Sequence, residues 1–187
     1  MGKFQLVVTP KKIDPSPAVF GINGHLSLTV LDENENVVDF REGDNIMCTS
    51  GLTVIAAALV WSGIQDQAAN LGVTSPSYLT PLWGAVGSGT GTVAASNTSL
   101  FTELSRQTVG AGASSPATPS INALATWLFY FPSPATTWTV TEAGVFANAT
   151  SGTSSGFLID HWAFSPTVTV TPTNTLILQA SFTIAGV

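Results

Sequence analysis

Charged residues are scarce in this sequence. It contains 5 Lys and Arg and 11 Asp and Glu among 187 residues, which is 9% of the chain, whereas about 25% is typical of soluble domains. Hydrophobic residues make up 44% of the chain, and such a composition favours collapse over disorder. The length is that of one ordinary domain with a sizeable core. We therefore expect a single folded domain.

Positive charge is the scarcest feature, because the chain has five basic residues and a net charge of −6. These basic residues are Lys3, Lys11, Lys12, Arg41 and Arg106. Binding to nucleic-acid phosphates requires a clustered Lys and Arg surface. We therefore expect no nucleic-acid partner.

Cysteine and histidine are nearly absent. Cys48 is the only cysteine, which excludes a disulfide within the chain and a zinc site with several cysteines. His25 and His161 match no zinc-ligand spacing. The glycine-rich stretch 84–92 lacks the lysine of a phosphate-binding loop. We therefore expect neither a metal ion nor a cofactor.

Long hydrophobic runs are also missing. A membrane-spanning helix needs about 20 apolar residues, and the longest apolar run, 52–61, is too short. The N-terminus shows no apolar stretch followed by a small-residue cleavage site, so no signal peptide is predicted. These features predict a protein that is made in the cytoplasm and does not insert into a membrane.

Short β-type segments, separated by Gly, Pro, Ser and Asn, make up most of the chain. Residues 25–31 alternate apolar and polar side chains, 32–36 form a polar turn, and 37–41 return as a second strand, which predicts a β-hairpin. Further strands are predicted at 124–131, 138–146, 157–164, 167–170 and 176–184. This spacing predicts a mainly β fold, an antiparallel β-sandwich of jelly-roll-like character.

Three other segments complete the predicted organisation. Residues 50–61 are apolar on every face, which predicts one short buried α-helix. Residues 1–20 contain a β-like run, Phe4–Val8, followed by three prolines, so they are predicted to form an extended N-terminal arm. A single β-sandwich domain is predicted over 21–187, with a flexible loop at 110–120.

The charges are unevenly distributed along the chain. Six of the eleven acids lie between residues 32 and 44, as expected for a solvated hairpin tip, whereas residues 107–187 carry only Glu142 and Asp160. Because an unpaired buried charge is costly, we expect Arg106 to pair with Glu142 or Glu103. The alternative is that all three side chains lie on the surface.

Two functional alternatives rest on particular residue types. Exposed tryptophans stack on sugars, so Trp83, Trp127, Trp138 and Trp162 are candidates for an aromatic ligand platform, although core packing is the commoner use of such residues. Two carboxylates in one cleft can hydrolyse glycosides, so a hydrolase would use Glu142 and Asp160. No Gly-x-Ser-x-Gly nucleophile motif is present. The sequence favours a protein that is not an enzyme.

Several short sequence blocks follow one another along the chain. The early blocks are a hairpin ending in DENENVV (32–38), GDNI (43–46) and TSGL (49–52); the later ones are GSGTGT (87–92), NTSL (97–100), ELSR (103–106), TEAGVF (141–146) and a final strand pair around 164–166 and 175–184. In this order the blocks resemble those of a group of tailed-bacteriophage virion proteins. The chain departs from the pattern before residue 20 and at 110–120.

The resemblance implies a non-enzymatic β-sandwich subunit of a virion, in a tail, tail-fibre or head-decoration position. The apolar surplus predicts that the protein assembles as a homo-oligomer, a trimer or ring, in contact with other virion proteins. The N-terminal arm is a candidate for reaching a neighbouring subunit. The alternative is a carbohydrate-binding, receptor-recognising module of a phage fibre.

Overall fold

In the part of the chain that the structure describes, two antiparallel β-sheets pack face to face with one helix, as predicted from the sequence. A computed structural model describes residues 20–60, 81–110, 122–147, 149–153 and 155–186. The elements are β1 (Phe20–Leu31), β2 (Val37–Asp44), β3 (Ile46–Met47), α1 (Thr49–Val60), β4 (Pro81–Gly87), β5 (Glu103–Thr108), β6 (Asn122–Phe131), β7 (Trp138–Ala147), β8 (Phe157–Val170) and β9 (Thr175–Gly186). The predicted N-terminal arm, apart from its last residue, and nearly all of the predicted 110–120 loop lie outside the described residues.

Sheet 1 has the strand order β2-β1-β9-β6, and sheet 2 has the order β3-β8-β7-β4-β5. The predicted hairpin is β1 and β2, which pair from His25 with Asp44 to Leu31 with Val37. Its turn is held by Asp32, whose carboxylate accepts hydrogen bonds from the backbone and side-chain amides of Asn36 and from the backbone amide of Asn34. These bonds, chiefly from the Asn36 side chain, lower the pKa of Asp32.

The core lies between the two sheets and follows from the two-residue period of the strands. On β9, Leu176, Leu178, Ala180 and Phe182 are buried, while the residues between them are partly exposed. They belong to one hydrophobic cluster with residues of sheet 2 such as Val145.

The centre of sheet 2 is buried on both faces. Residues 142–147 of β7 are all buried, as are 158–162 of β8. One face of these strands meets sheet 1, and the other is covered by α1 and by the segment 88–102, which we call the covering loop. Charged side chains on the covered face are therefore enclosed by this chain.

Helix α1 lies flat on β8 and is not enclosed on every face, so the prediction of a buried helix is wrong in that respect. Gly51 and Val54 face the sheet, whereas Leu52 is 49% exposed. A side chain at Gly51 would collide with the backbone of Ile159, so the glycine permits this close contact. The Ser50 hydroxyl donates to the carbonyl oxygen of Leu158. An apolar sequence shows that a helix can be buried but not how many of its faces are.

Strand β8 is one strand where the sequence predicts two. Its register with β7 shifts between Val140, which pairs with Val168, and Glu142, which pairs with Ala163. Pro166 lies in this bulge, where no ladder hydrogen bond is required of it. Strands β3 and β5 are not among the strands predicted from the sequence. No helix among the described residues is long and apolar enough to cross a membrane.

Candidate functional site

Glu142 lies at the middle of the covered face of sheet 2 and is fully buried. Its Oε1 accepts hydrogen bonds from the backbone amides of Gly89 (2.9 Å) and Thr102 (2.8 Å). Its Oε2 accepts from the amide of Phe101 (3.0 Å) and lies 2.8 Å from Nε2 of His161. Burial raises the pKa of Glu142, but the bonds from His161 and the three amides outweigh it, so the pKa is lowered.

His161 extends this cluster to the covering loop. Its Nδ1 lies 3.2 Å from Oδ1 of Asn97, and that oxygen also accepts the backbone amide of Ala94 at 2.7 Å. The ring of Phe101 packs on the imidazole with 5.0 Å between centroids. We call Glu142, His161, Asn97 and the bonded amides the Glu142 centre. It connects β7, β8 and the covering loop through hydrogen bonds.

Arg106 forms a second buried cluster beside the first. Its guanidinium donates from Nε to Oε1 of Glu103 (2.6 Å) and from Nη2 to Oε2 (2.7 Å), a two-pronged pair. Its Nη1 donates to the carbonyl oxygens of Thr150 and Ser155, both at 3.1 Å. The guanidinium carbon lies 4.5 Å from the ring centroid of Phe146. Of the two partners expected for Arg106, Glu103 is the one in contact, and Glu142 binds His161 instead.

Asp160 is a third buried acid, and its surroundings disfavour its charged form. It accepts hydrogen bonds from the amide of Val145 (3.0 Å) and the side chain of Asn45 (2.5 Å). Burial raises its pKa to about 8 despite those bonds. Burial also raises the pKa of the nearby Cys48 thiol to about 12, with a smaller contribution from Asp160. Oδ1 of Asn45 is buried without a hydrogen-bond partner.

These positions do not suit the hydrolase hypothesis, which requires Glu142 and Asp160 in one cleft. Both residues have 0% relative exposure. Each is bound by its own set of interior groups, Glu142 on the covering-loop side and Asp160 toward Asn45. Adjacent residues of a strand point to opposite faces, which accounts for the separate surroundings of Asp160 and His161.

The structure does not place the four candidate tryptophans together on one exposed face. Trp162 is 7% exposed, and the other three are half-buried. Trp127 lies on sheet 1, edge-on to Phe182 at 5.4 Å between centroids, whereas Trp83, Trp138 and Trp162 lie on sheet 2. Trp127 and Trp138 pack against the main core cluster. These large apolar rings are therefore used to fill and border the core, which removes their surface from water.

The exposed site with the most unusual composition is the outer strand of sheet 1. Strand β2 pairs with β1 and forms one border of that sheet. Its apolar side chains Val37, Val38 and Phe40 are 61%, 55% and 46% exposed. Acidic side chains lie at both ends: Glu33 and Glu35 in the turn, and Glu42 and Asp44 at the other end. We call these seven residues the acidic edge.

An apolar row continues from the acidic edge across the outer face of sheet 1. Phe40 is paired with Thr29, Thr29 with Ile177, and Ile177 with Tyr130, so the four side chains lie side by side. Tyr130 is 52% exposed. Sequence periodicity alone does not single out this row, because it depends on the register of four strands.

Comparison with family models, with curated proteins and with solved structures returned no match to this chain. Within the described residues, no group of three or more His, Cys, Asp or Glu side chains is placed to hold a metal ion. The function is therefore inferred from the buried clusters and the exposed edge.

Proposed function

We propose that this chain is a non-enzymatic structural subunit of a bacteriophage virion, associated with the tail or fibre or decorating the capsid, and that it works by assembling with copies of itself. The observation that carries the proposal is the acidic edge, where Val37, Val38 and Phe40 are roughly half exposed on an open strand. An open edge with exposed apolar residues promotes pairing with another chain unless it is protected.

The use of the buried charges supports a structural role. The Glu142 carboxylate takes up four hydrogen bonds with groups of the protein itself. The Arg106 pair likewise binds the backbone near 150–155. Glu142 and Arg106, whose side chains could take part in catalysis, are thus used to hold the covering loop and the 150–155 segment onto sheet 2. A rigid sandwich with fixed loops is what repeated assembly of identical subunits requires, because little conformational freedom is lost on docking.

The apolar row on sheet 1 supports the same proposal. Phe40, Ile177 and Tyr130 lie side by side on a face that otherwise carries mainly polar uncharged side chains. Aromatic enrichment and low charge are typical of the centres of protein interfaces. Closed symmetry would make the assembly a ring or trimer. The carbohydrate-binding alternative needs an exposed tryptophan platform, which these tryptophans do not form.

The proposal is tested on the full chain by light scattering coupled to size-exclusion chromatography, over about a hundredfold range of concentration. We expect a closed oligomer with a mass that is a multiple of 19.3 kDa. Antibodies raised against the chain should label purified phage particles at symmetry-related positions. A monomer at every concentration, together with its absence from particles by mass spectrometry, would refute the proposal.

A further inference from the structure

Apart from His25 at its far end, the acidic edge has no salt bridge to a basic side chain among the described residues. Both arginines of the chain are already paired internally: Arg41 with Asp39, and Arg106 with Glu103. At the far end of the edge, His25 lies 3.7 Å from Glu42 and 3.3 Å from Asp44. The remaining basic residues of the sequence are three lysines, all within its first twelve residues. Those lysines are the positive side chains that this sequence can still offer the edge.

The first twelve residues also match the edge in pattern. Lys3 is followed by the apolar β-like run Phe4–Val8 and then by Lys11 and Lys12, so positive charge flanks an apolar centre. On the acidic edge, negative charge flanks the exposed apolar side chains Val37, Val38 and Phe40, and the charges that lie among them, Asp39 and Arg41, pair with each other. An extended chain from Lys3 to Lys11 spans about 26 Å, and the eight residues of β2 span about the same length.

From this match we propose that residues 3–12 of a second copy add to the open edge of β2 as an antiparallel strand. In this register Lys11 and Lys12 face the turn acids, and Lys3 faces the acids at the other end of β2. The backbone groups of β2 supply the hydrogen bonds, and the alternating apolar side chains supply the contact area. The proposal rests on the self-assembly proposed above and names the surface that performs it.

The position of Pro10 favours the antiparallel direction. With Lys3 opposite Glu42 or Asp44, Pro10 falls at or beyond Val37, where β2 ends and the lost amide hydrogen does little harm. A parallel strand that places Lys3 beside the turn acids would set Pro10 opposite the body of β2. Only seven residues separate residue 12 from the start of β1, and β1 begins at the Asp44 end of β2. If the arm returned to β2 of its own chain, residue 12 would therefore lie near Asp44 and the arm would run parallel to β2. The antiparallel register therefore points to a second copy.

The experiment is a charge swap measured by light scattering and sedimentation on the full chain at low salt. The arm variant carries Lys11→Glu and Lys12→Glu, the edge variant carries Glu33→Lys and Glu35→Lys, and the swapped variant carries all four. We expect each double variant to weaken self-association by roughly tenfold or more, because attraction becomes repulsion at two positions. The swapped variant keeps the wild-type net charge and should recover association to within about threefold of wild type.

Mixing separates docking between copies from docking within one chain. Equal amounts of the arm variant and the edge variant should associate with each other, since the intact arm of one meets the intact edge of the other. Recovery in the swapped variant without association in the mixture would show docking within a chain and overturn the proposal. Wild-type oligomers that are unaffected by either double variant would also overturn it, while leaving self-assembly standing. A wild-type monomer at all concentrations would refute self-assembly itself.

Discussion

Replacing Asp160 by asparagine should remove a large dependence of stability on pH. The carboxyl group has an ordinary pKa of 3.8, and burial raises it to about 8 in the folded protein. Between these values the unfolded chain releases the proton and the folded chain keeps it. The stabilisation associated with the protonated form is therefore fully present below pH 3.8 and is lost as the pH rises toward 8.

The size of the effect follows from the two pKa values. Each pKa unit corresponds to about 1.4 kcal/mol, so the free energy of unfolding of the wild type should fall by roughly 3 to 4 kcal/mol relative to Asp160→Asn between pH 5 and pH 8. Glu142 does not interfere, because its pKa is lowered and its contribution is lost only as the pH falls below 4.5. Comparing variant with wild type at each pH cancels the groups common to both.

The hydrogen bonds should tolerate this substitution. The side-chain amide introduced by Asp160→Asn would keep an acceptor oxygen for the backbone amide of Val145 and gain a donor toward Asn45. Rotating the Asn45 side-chain amide by half a turn would let its unpartnered Oδ1 accept a hydrogen bond from that donor. In the wild type, the same rotation would let Oδ1 accept from the hydroxyl group of a protonated Asp160.

Urea unfolding followed by tryptophan fluorescence at pH 5, 6, 7 and 8 measures this difference. The two stability curves should diverge as the pH rises, with the variant the more stable protein at pH 8. Infrared spectra at neutral pH should show a protonated carboxyl stretch in the wild type that the variant lacks. Parallel stability curves, or no such stretch, would mean that Asp160 is ionised in the folded protein and would refute the reasoning.

Three further substitutions test the structure. Glu142→Gln should lower the free energy of unfolding by about 2 to 4 kcal/mol and speed amide exchange in the covering loop, because the NH2 group of glutamine would replace a carboxylate oxygen that accepts from backbone amides. The exposed Glu42→Gln serves as the unaffected control. Gly51→Ala should cost about 1 to 3 kcal/mol in urea unfolding, since its methyl group meets the backbone of β8, and an unchanged midpoint would contradict the packing described. Phe40→Ser should weaken association in light scattering, whereas Leu52→Ser, similarly exposed on α1, should leave association intact, although each variant also loses the folding stability contributed by the buried half of its side chain.

The parts of the fold that could be predicted are those determined by neighbouring residues. The first hairpin follows from alternation in 25–31 and from Asp32, which bonds to amides two and four residues ahead. The late strands follow from their β-branched and aromatic runs. The ion pair between Arg106 and Glu103 could be predicted for the same reason, because the two residues lie only three positions apart.

The Glu142 centre could not be predicted, because its members come from distant parts of the chain. His161 is 19 residues from Glu142, and the three bonded amides lie 40, 41 and 53 residues before it in the covering loop. Backbone amides carry no residue-type signal, so nothing in the sequence of the loop marks them as partners of a carboxylate. The isolated acid in an apolar strand indicates that Glu142 needs a partner but not which one.

Because the chain has few charges, the charged groups that stabilise the fold are different from those that are available for docking. Glu103, Arg106, Glu142 and Asp160 are bound inside sheet 2 or against its covering loop, where salt screens them little. Within the described residues the exposed acids lie at one edge of sheet 1, and the three lysines of the sequence precede residue 13. Rising ionic strength should therefore dissociate oligomers while leaving the unfolding free energy of the subunit nearly unchanged. If salt lowered both together, the fold and the docking surface would share their electrostatics, and this division of roles would fail.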